Sequence, residues 1–164
     1  SNKDSEGRKS VYELLPKGSR WVMVGRLDLN TSGLLLFTNN GTLANKLMHP
    51  SSEIDREYAV RVLGKVNKDD IARLTEGLEL EDGFAKFNRV TLAGGEGANR
   101  WYKVVLREGR KREVRRLWEA LGFKVSRLIR VRFGEIRLPE SLRANQFEYL
   151  KPGQVNLLLR DAKL

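Results

Sequence analysis

Cysteine is absent from the 164 residues, and histidine occurs once, at His49. The first absence excludes disulfides, thiolate zinc sites and thiol nucleophiles, and fits a reducing, intracellular address. The second leaves no material for a histidine triad or a multi-histidine metal site. No apolar run approaches the roughly 18 residues of a membrane span, and the chain does not open with the charged-then-apolar pattern of a secretion signal. A soluble cytoplasmic protein is therefore expected. Only four residues are proline, 40% are hydrophobic and 32% charged, which describes a folded globule with a wet surface. The length suits one ordinary domain.

Acidic residues are the minority charge, 21 against 31 Lys and Arg, for a net charge of +10. The excess is localised: Arg107 to Arg132 holds ten basic and three acidic residues, +7 of the total. Such clustering points to a nucleic-acid face. A membrane surface fits less well, because the segment lacks a long apolar stripe.

Residues 1–10 read as a polar tail, and Val11 to Leu15 as the first anchored stretch. Strands are predicted for Trp21 to Val24, Leu34 to Phe37, Tyr58 to Val62, Phe84 to Leu92, Trp101 to Leu106 and Val125 to Phe133. Ile136, Leu138, Phe147 and Tyr149 suggest short closing strands. Helices are predicted for Thr42 to Met48, stopped by Pro50, for Asp69 to Glu76, and after Pro152-Gly153. Another spans Glu113 to Leu121, where Val114, Leu117, Trp118 and Leu121 fall at i, i+3, i+4 and i+7. The glycine-rich segment from Ala93 to Asn99 lacks the spacing of a phosphate loop and reads as a flexible hairpin link. Hairpin-like links outnumber βαβ units, so the fold class is α+β with a mixed, mostly antiparallel sheet.

Three places carry candidate chemistry. Gly25-Arg26-Leu27-Asp28 leaves a strand and enters Leu29-Asn30-Thr31-Ser32-Gly33, which sets a carboxylate at a strand end in a loop of small residues. Such a placement suits a nucleophile or a base; the plainer alternative is an Asx-turn in which Asp28 caps its own loop. Arg56-Glu57-Tyr58 opens a strand, where a tyrosine can stack on a base or simply be half-buried. The run Glu108-Gly109-Arg110-Lys111-Arg112-Glu113-Val114-Arg115-Arg116 leads into a helix. Arg115 lies at the border of its apolar face and is expected within salt-bridge reach of a carboxylate, whereas Arg110, Lys111, Arg112 and Arg116 can reach phosphates. Cations at a helix N-terminus oppose the macrodipole and call for something anionic nearby. Arg127, Arg130 and Arg132 are expected on one strand face beside the same groove.

Arg20 to Asp28 followed by Asn30 to Thr38 resembles the catalytic motif of the A-type family of ribosomal small-subunit pseudouridine synthases. Arg56-Glu57-Tyr58 and Glu108 to Leu117 look like the second and third motifs of that family, in the right order. Gly95-Glu96-Gly97, Trp101-Tyr102, Arg116 to Ala120 and Val125 to Arg130 look most like the branch that modifies large-subunit RNA. The likeness covers roughly Val11 to Leu150 and implies isomerisation of a uridine in 23S ribosomal RNA, without metal or organic cofactor, by a monomer.

By that resemblance Asp28 is the nucleophile, Tyr58 stacks on the base, and Arg115 pairs with the aspartate. Leu128 would be an apolar wall of the base pocket, and Arg26 would fill the space vacated by a flipped-out base. The family's fold implies a long mixed sheet in two lobes with the cleft across its middle. The family's S4-like RNA-binding domain and Lys-Pro-x-Gly strand are not found in this sequence, so residues 11–164 are expected to be a catalytic domain. The competing reading is a non-catalytic ribosomal-RNA binding or assembly module.

Overall fold

The computed structural model describes residues 11–164; the expected polar tail, 1–10, lies outside the described residues. The strands are β1 (Val22–Val24), β2 (Ser32–Gly33), β3 (Leu36–Thr38), β4 (Arg56–Leu63), β5 (Leu78–Leu80), β6 (Gly83–Ala85), β7 (Arg89–Glu96), β8 (Asn99–Leu106), β9 (Lys124–Phe133) and β10 (Ile136–Arg137). The α-helices are α1 (Gly41–Met48), α2 (Lys68–Glu76), α3 (Glu113–Ala120) and α4 (Pro152–Asp161). The main sheet runs β10-β9-β4-β8-β7, with the short β2 added to β9. Every pairing is antiparallel except β2 with β9, so the sheet is mixed, as the α+β reading expects.

Helix ends follow local chemistry. Asn40 accepts from the Leu43 amide to cap α1, and Asn67 and Asp70 form a reciprocal capping box on α2. His49 closes α1 and its Nδ1 accepts from the Ser51 amide at 3.2 Å.

One face of the main sheet is apolar. Val60 and Val62 of β4, Tyr102, Val104 and Leu106 of β8, and Val125 and Leu128 of β9 form a core with Leu74 of α2 and Leu117 and Trp118 of α3. A second core joins Val24, Leu36, α1 residues and Leu158 of α4 to Phe133 and Ile136. Strand β9 crosses from one core to the other, and Arg130 lies between its two contributions.

Several expected boundaries change. The strand predicted from Phe84 to Leu92 is two, β6 and β7, because the chain bends between them to bury Phe87 against Trp118, ring centroids 6.2 Å apart. The link from Ala93 to Asn99 is mostly strand: Glu96 pairs with Asn99 across a two-residue turn, and only a bulge between Leu92 and Gly94 breaks the register. Phe147 and Tyr149 are not in strands. Two local turns precede them, Leu142 amide to Pro139 carbonyl and Gln146 amide to Arg143 carbonyl, and residues 147–150 pair with no strand among the described residues.

Candidate active site

Strand β1 ends at Val24 in the second core, and the loop from Gly25 to Thr31 then crosses to β9. Its turn is closed by the Thr31 amide donating to the backbone carbonyl of Asp28 at 2.9 Å. The main chain therefore makes the turn, and no Asx-turn through the Asp28 side chain is present. Among the described residues the half-buried Asp28 carboxylate takes part in no hydrogen bond and no ion pair.

Three attachments hold this loop. Ser32 and Gly33 pair in parallel with Ile129 and Arg130, and the Leu34 amide donates to the Arg130 carbonyl at 2.8 Å. Arg130 returns the bond through Nε to the Leu34 carbonyl at 2.9 Å. Arg115, on α3, donates through Nη2 to the Asn30 carbonyl at 2.6 Å and through Nη1 to the Val125 carbonyl at 3.3 Å. Gly33 is required for the first attachment. Its φ is +109°, and a Cβ there would collide with the Arg130 backbone, whose nitrogen would lie at 2.7 Å. The small residues after Asp28 thus serve a close approach of loop to strand.

The expected Asp28–Arg115 ion pair is not made. Arg115 is 8% exposed and spends its guanidinium on two carbonyls, one of them two residues beyond Asp28. Burial pushes its pKa down from the arginine value and Arg112 adds to that, while Glu119 and Asp28 act in the opposite direction. Arg115 is therefore a positioning group for the loop and a nearby positive charge for the carboxylate.

Side chains of β4 and β9 sort by register. Arg56, Tyr58 and Val60 face Phe133, Arg130 and Leu128 in turn, so all six share the helix-covered face. Tyr58 is half-buried against the first core, Leu128 is buried in it, and Arg130 is 2% exposed. The Arg56 and Arg130 guanidiniums lie over the Phe133 ring at 5.1 and 5.7 Å. Of the four buried side-chain polar atoms without a hydrogen-bond partner among the described residues, Thr31 Oγ1, Arg115 Nε and Arg130 Nη2 belong to this region.

The arginine cluster needs correcting residue by residue. Arg127, Arg130 and Arg132 do not share a face. Arg127 is three residues from Arg130, so alternation alone turns it to the other face, opposite Arg61, and the register shift between Glu57 and Tyr58 leaves Arg132 opposite Glu57, away from Tyr58. Arg130 is an internal strut, and Arg132 Nε donates to Glu57 Oε1 at 2.9 Å.

Arg110 and Arg116 are also committed within the chain. Arg110 bridges Glu108 at 2.9 Å, Glu113 at 3.4 Å and Asp82 at 3.2 Å, and Arg116 grips Asp82 through two bonds of 2.7 and 3.0 Å. The anions that the crowded helix start calls for are the protein's own. Lys111 and Arg127 are exposed without a partner among the described residues, as is Arg26 beside Asp28, and Arg112 reaches Glu119 only at 3.9 Å. Sequence reasoning missed Arg130 and Gly33 as struts of the loop; the Ser32-Gly33 pair gave no strand signal because two residues have no period.

Glu113 is 3% exposed, and burial together with a hydrogen bond to Glu108 pushes its pKa up to about 8. A carboxyl with a raised folded pKa binds more protons folded than unfolded. Its contribution to stability is full below the ordinary value of 4.5 and is lost as the pH climbs through about 8. Glu113→Gln keeps a neutral, hydrogen-bonding group there and should flatten the fall in melting temperature between those limits. Parallel pH profiles for variant and parent would contradict the raised pKa of Glu113.

The described residues hold no group of three or more potential metal ligands, and no helix is long and apolar enough to cross a membrane. The family model described as RNA pseudouridylate synthase matches residues 1–120, and the chain belongs to that family. Among curated proteins it is 64% identical to "Ribosomal large subunit pseudouridine synthase B" of Yersinia pestis over 141 residues, 85% of this chain and 44% of that protein. The protein of the same name from Escherichia coli strain K12 is 57% identical over 157 residues, 94% of this chain and 54% of its own length. The chain thus spans about half the length of the curated relatives it matches.

The fold agrees with a crystal structure of a pseudouridylate synthase, with a TM-score of 0.81 at 24% identity over 91% of this chain and 65% of that one. A structure of an H/ACA RNP bound to a substrate RNA containing 2'-deoxyuridine aligns with a TM-score of 0.58 at 21% identity, over 76% of this chain and 42% of that one. The pseudouridine synthase fold expected from the motifs is therefore the fold of this chain.

Proposed function

We propose that the protein isomerises a uridine of 23S ribosomal RNA to pseudouridine, with Asp28 as nucleophile, acting as a cytoplasmic monomer without metal or organic cofactor. The observation that carries this reading is an Asp28 carboxylate without a partner among the described residues, on a loop clamped at three points to β9 and α3. A nucleophile must keep its lone pairs available while its backbone stays put. The names of the large-subunit relatives support the substrate class.

In the reaction the N1–C1′ bond breaks, the uracil turns while it remains bound, and C5 joins C1′. C5 then gives up its proton and N1 gains one, so that atoms balance. Asp28 either attacks C1′ and later leaves, or assists removal of a sugar proton to a glycal; both routes need the ionised carboxylate.

Tyr58, on the face that carries Arg130, stacks on the base and takes part in the proton transfer, and Leu128 supplies an apolar wall. A stacked base cannot present C1′ and C5 to one carboxylate, so the uridine is flipped out or unpaired, and Arg26 fills the gap. Lys111 and Arg112 hold the phosphates around it. Arg110, Arg116 and Arg130 support this from within the protein fabric rather than by direct contact. The test is incubation with transcribed 23S RNA, and separately with transcribed RNA of the small subunit, followed by detection of pseudouridine. Product is expected at one site of the 23S RNA only; RNA binding without product would favour the assembly-module reading.

A further inference from the structure

The second face of the main sheet has no role in the reading above. Register places Glu57, Ala59, Arg61 and Leu63 of β4 there, beside Trp101 and Lys103 of β8 and Lys124, Arg127, Ile129 and Arg132 of β9. Ala59, Trp101 and Ile129 belong to neither core, and Leu63 is 49% exposed, so among the described residues no helix packs on this part of the face. Arg89 of β7 lies on it too, level with Val105 and Glu57.

The charges there are of one kind. Six cations, Arg61, Arg89, Lys103, Lys124, Arg127 and Arg132, stand against two acids. Of these, Glu57 is buried and already bound to Arg132 at 2.9 Å and approached by Arg89 at 3.9 Å. The other, Glu96, stands at the hairpin corner opposite Asn99.

Trp101, Arg61 and Arg127 form one row across three neighbouring strands. The Arg61 guanidinium lies 5.7 Å from the Trp101 ring and its Nε donates to Ser126 Oγ at 2.9 Å, which fixes the group while its terminal nitrogens stay available. Lys103 and Lys124 are exposed on either side of this row, about 13 Å apart along the strands.

We propose that this open basic sheet face is a second RNA-binding surface, which holds the phosphate backbone of a segment of the substrate RNA other than the one presented to Asp28. The proposal rests on the RNA-modifying reading, and it follows from charge complementarity together with location. Tyr58 and Arg130 project from the opposite face of the same strands, so RNA seated here cannot be the nucleotides in the catalytic cleft. A pre-oriented guanidinium on an aromatic ring, flanked by exposed lysines, suits phosphates with little choice of sequence.

Lys103→Glu with Lys124→Glu tests it, because both side chains are exposed and outside the catalytic machinery. Binding of two RNAs is measured against salt: a short hairpin carrying the target uridine, and a transcribed 23S domain containing that hairpin. For the long RNA the affinity should fall about tenfold or more and the log–log salt slope should flatten by about 1.5, while hairpin binding stays within twofold. The doubly neutral variant, Lys103→Gln with Lys124→Gln, should lie between.

Unchanged binding of the long RNA, or equal loss for both RNAs, would overturn the second surface. Binding of the parent to phosphatidylserine vesicles that the reversal abolishes, with long-RNA affinity intact, would do the same. Binding is read without turnover, so a failure of the catalytic reading shows separately as absent pseudouridine in the parent protein.

Discussion

Asp28→Asn is expected to abolish pseudouridine formation, by at least about a thousandfold, which corresponds to ~4 kcal/mol in the barrier. The amide keeps the volume and loses both the nucleophilic charge and the leaving-group capacity. Nothing in the fold should suffer. The carboxylate has no hydrogen bond among the described residues, and the turn beneath it is closed by the Asp28 backbone carbonyl, which the substitution leaves in place. Melting should therefore shift by no more than ~0.5 kcal/mol equivalent, and hairpin affinity by no more than a few-fold. Near-normal product in this variant would sink the assignment of the nucleophile.

Arg115→Ala should show the second largest effect, for a different reason. Its guanidinium satisfies the Asn30 and Val125 carbonyls, and its stem is buried in α3, so truncation removes packing and two hydrogen bonds together. A destabilisation of about 2–3 kcal/mol is expected. Turnover should fall about a hundredfold, because the loop that aims Asp28 loses one of its three attachments and a displacement near 1 Å costs that much.

Arg112→Ala is the control: its side chain is exposed and reaches only Glu119 at 3.9 Å, so it should change stability little and turnover a few-fold. Arg115→Lys separates charge from geometry, since an ammonium keeps the field at Asp28 but cannot fork between two carbonyls. Full activity in the lysine variant would mean that only the charge matters, and equal mild losses in Arg115→Ala and Arg112→Ala would reduce Arg115 to a phosphate contact.

The elements were legible where a period is long enough to read. Helix α3 follows from Val114, Leu117 and Trp118 at helical spacing, and β4 from Tyr58, Val60 and Val62 facing one way. The strand β2 was not legible, being two residues long and made by the approach of β9. Nor was the fate of Phe147 and Tyr149, which alternate like a strand yet stand exposed and pair with no strand among the described residues.

The order of the motifs and the types of residue in them, a carboxylate at a strand end, a tyrosine on a strand and a basic run into a helix, were determined by the sequence alone. With them came the family, since three ordered motifs constrain one another whatever the packing. Which arginines are spent inside the protein and which stay exposed was decided only by the tertiary structure. Arg130 is joined to Leu34 across 96 positions, Arg115 to Asn30 across 85, and Arg116 to Asp82 across 34, and no local pattern announces such partners. Arg127, three residues from Arg130, faces the other way by simple alternation, but it took the register shift between Glu57 and Tyr58 to turn Arg132 there as well. A guanidinium's role depends on which acceptors lie within about 3 Å of it, and those distances exist only once distant segments have packed.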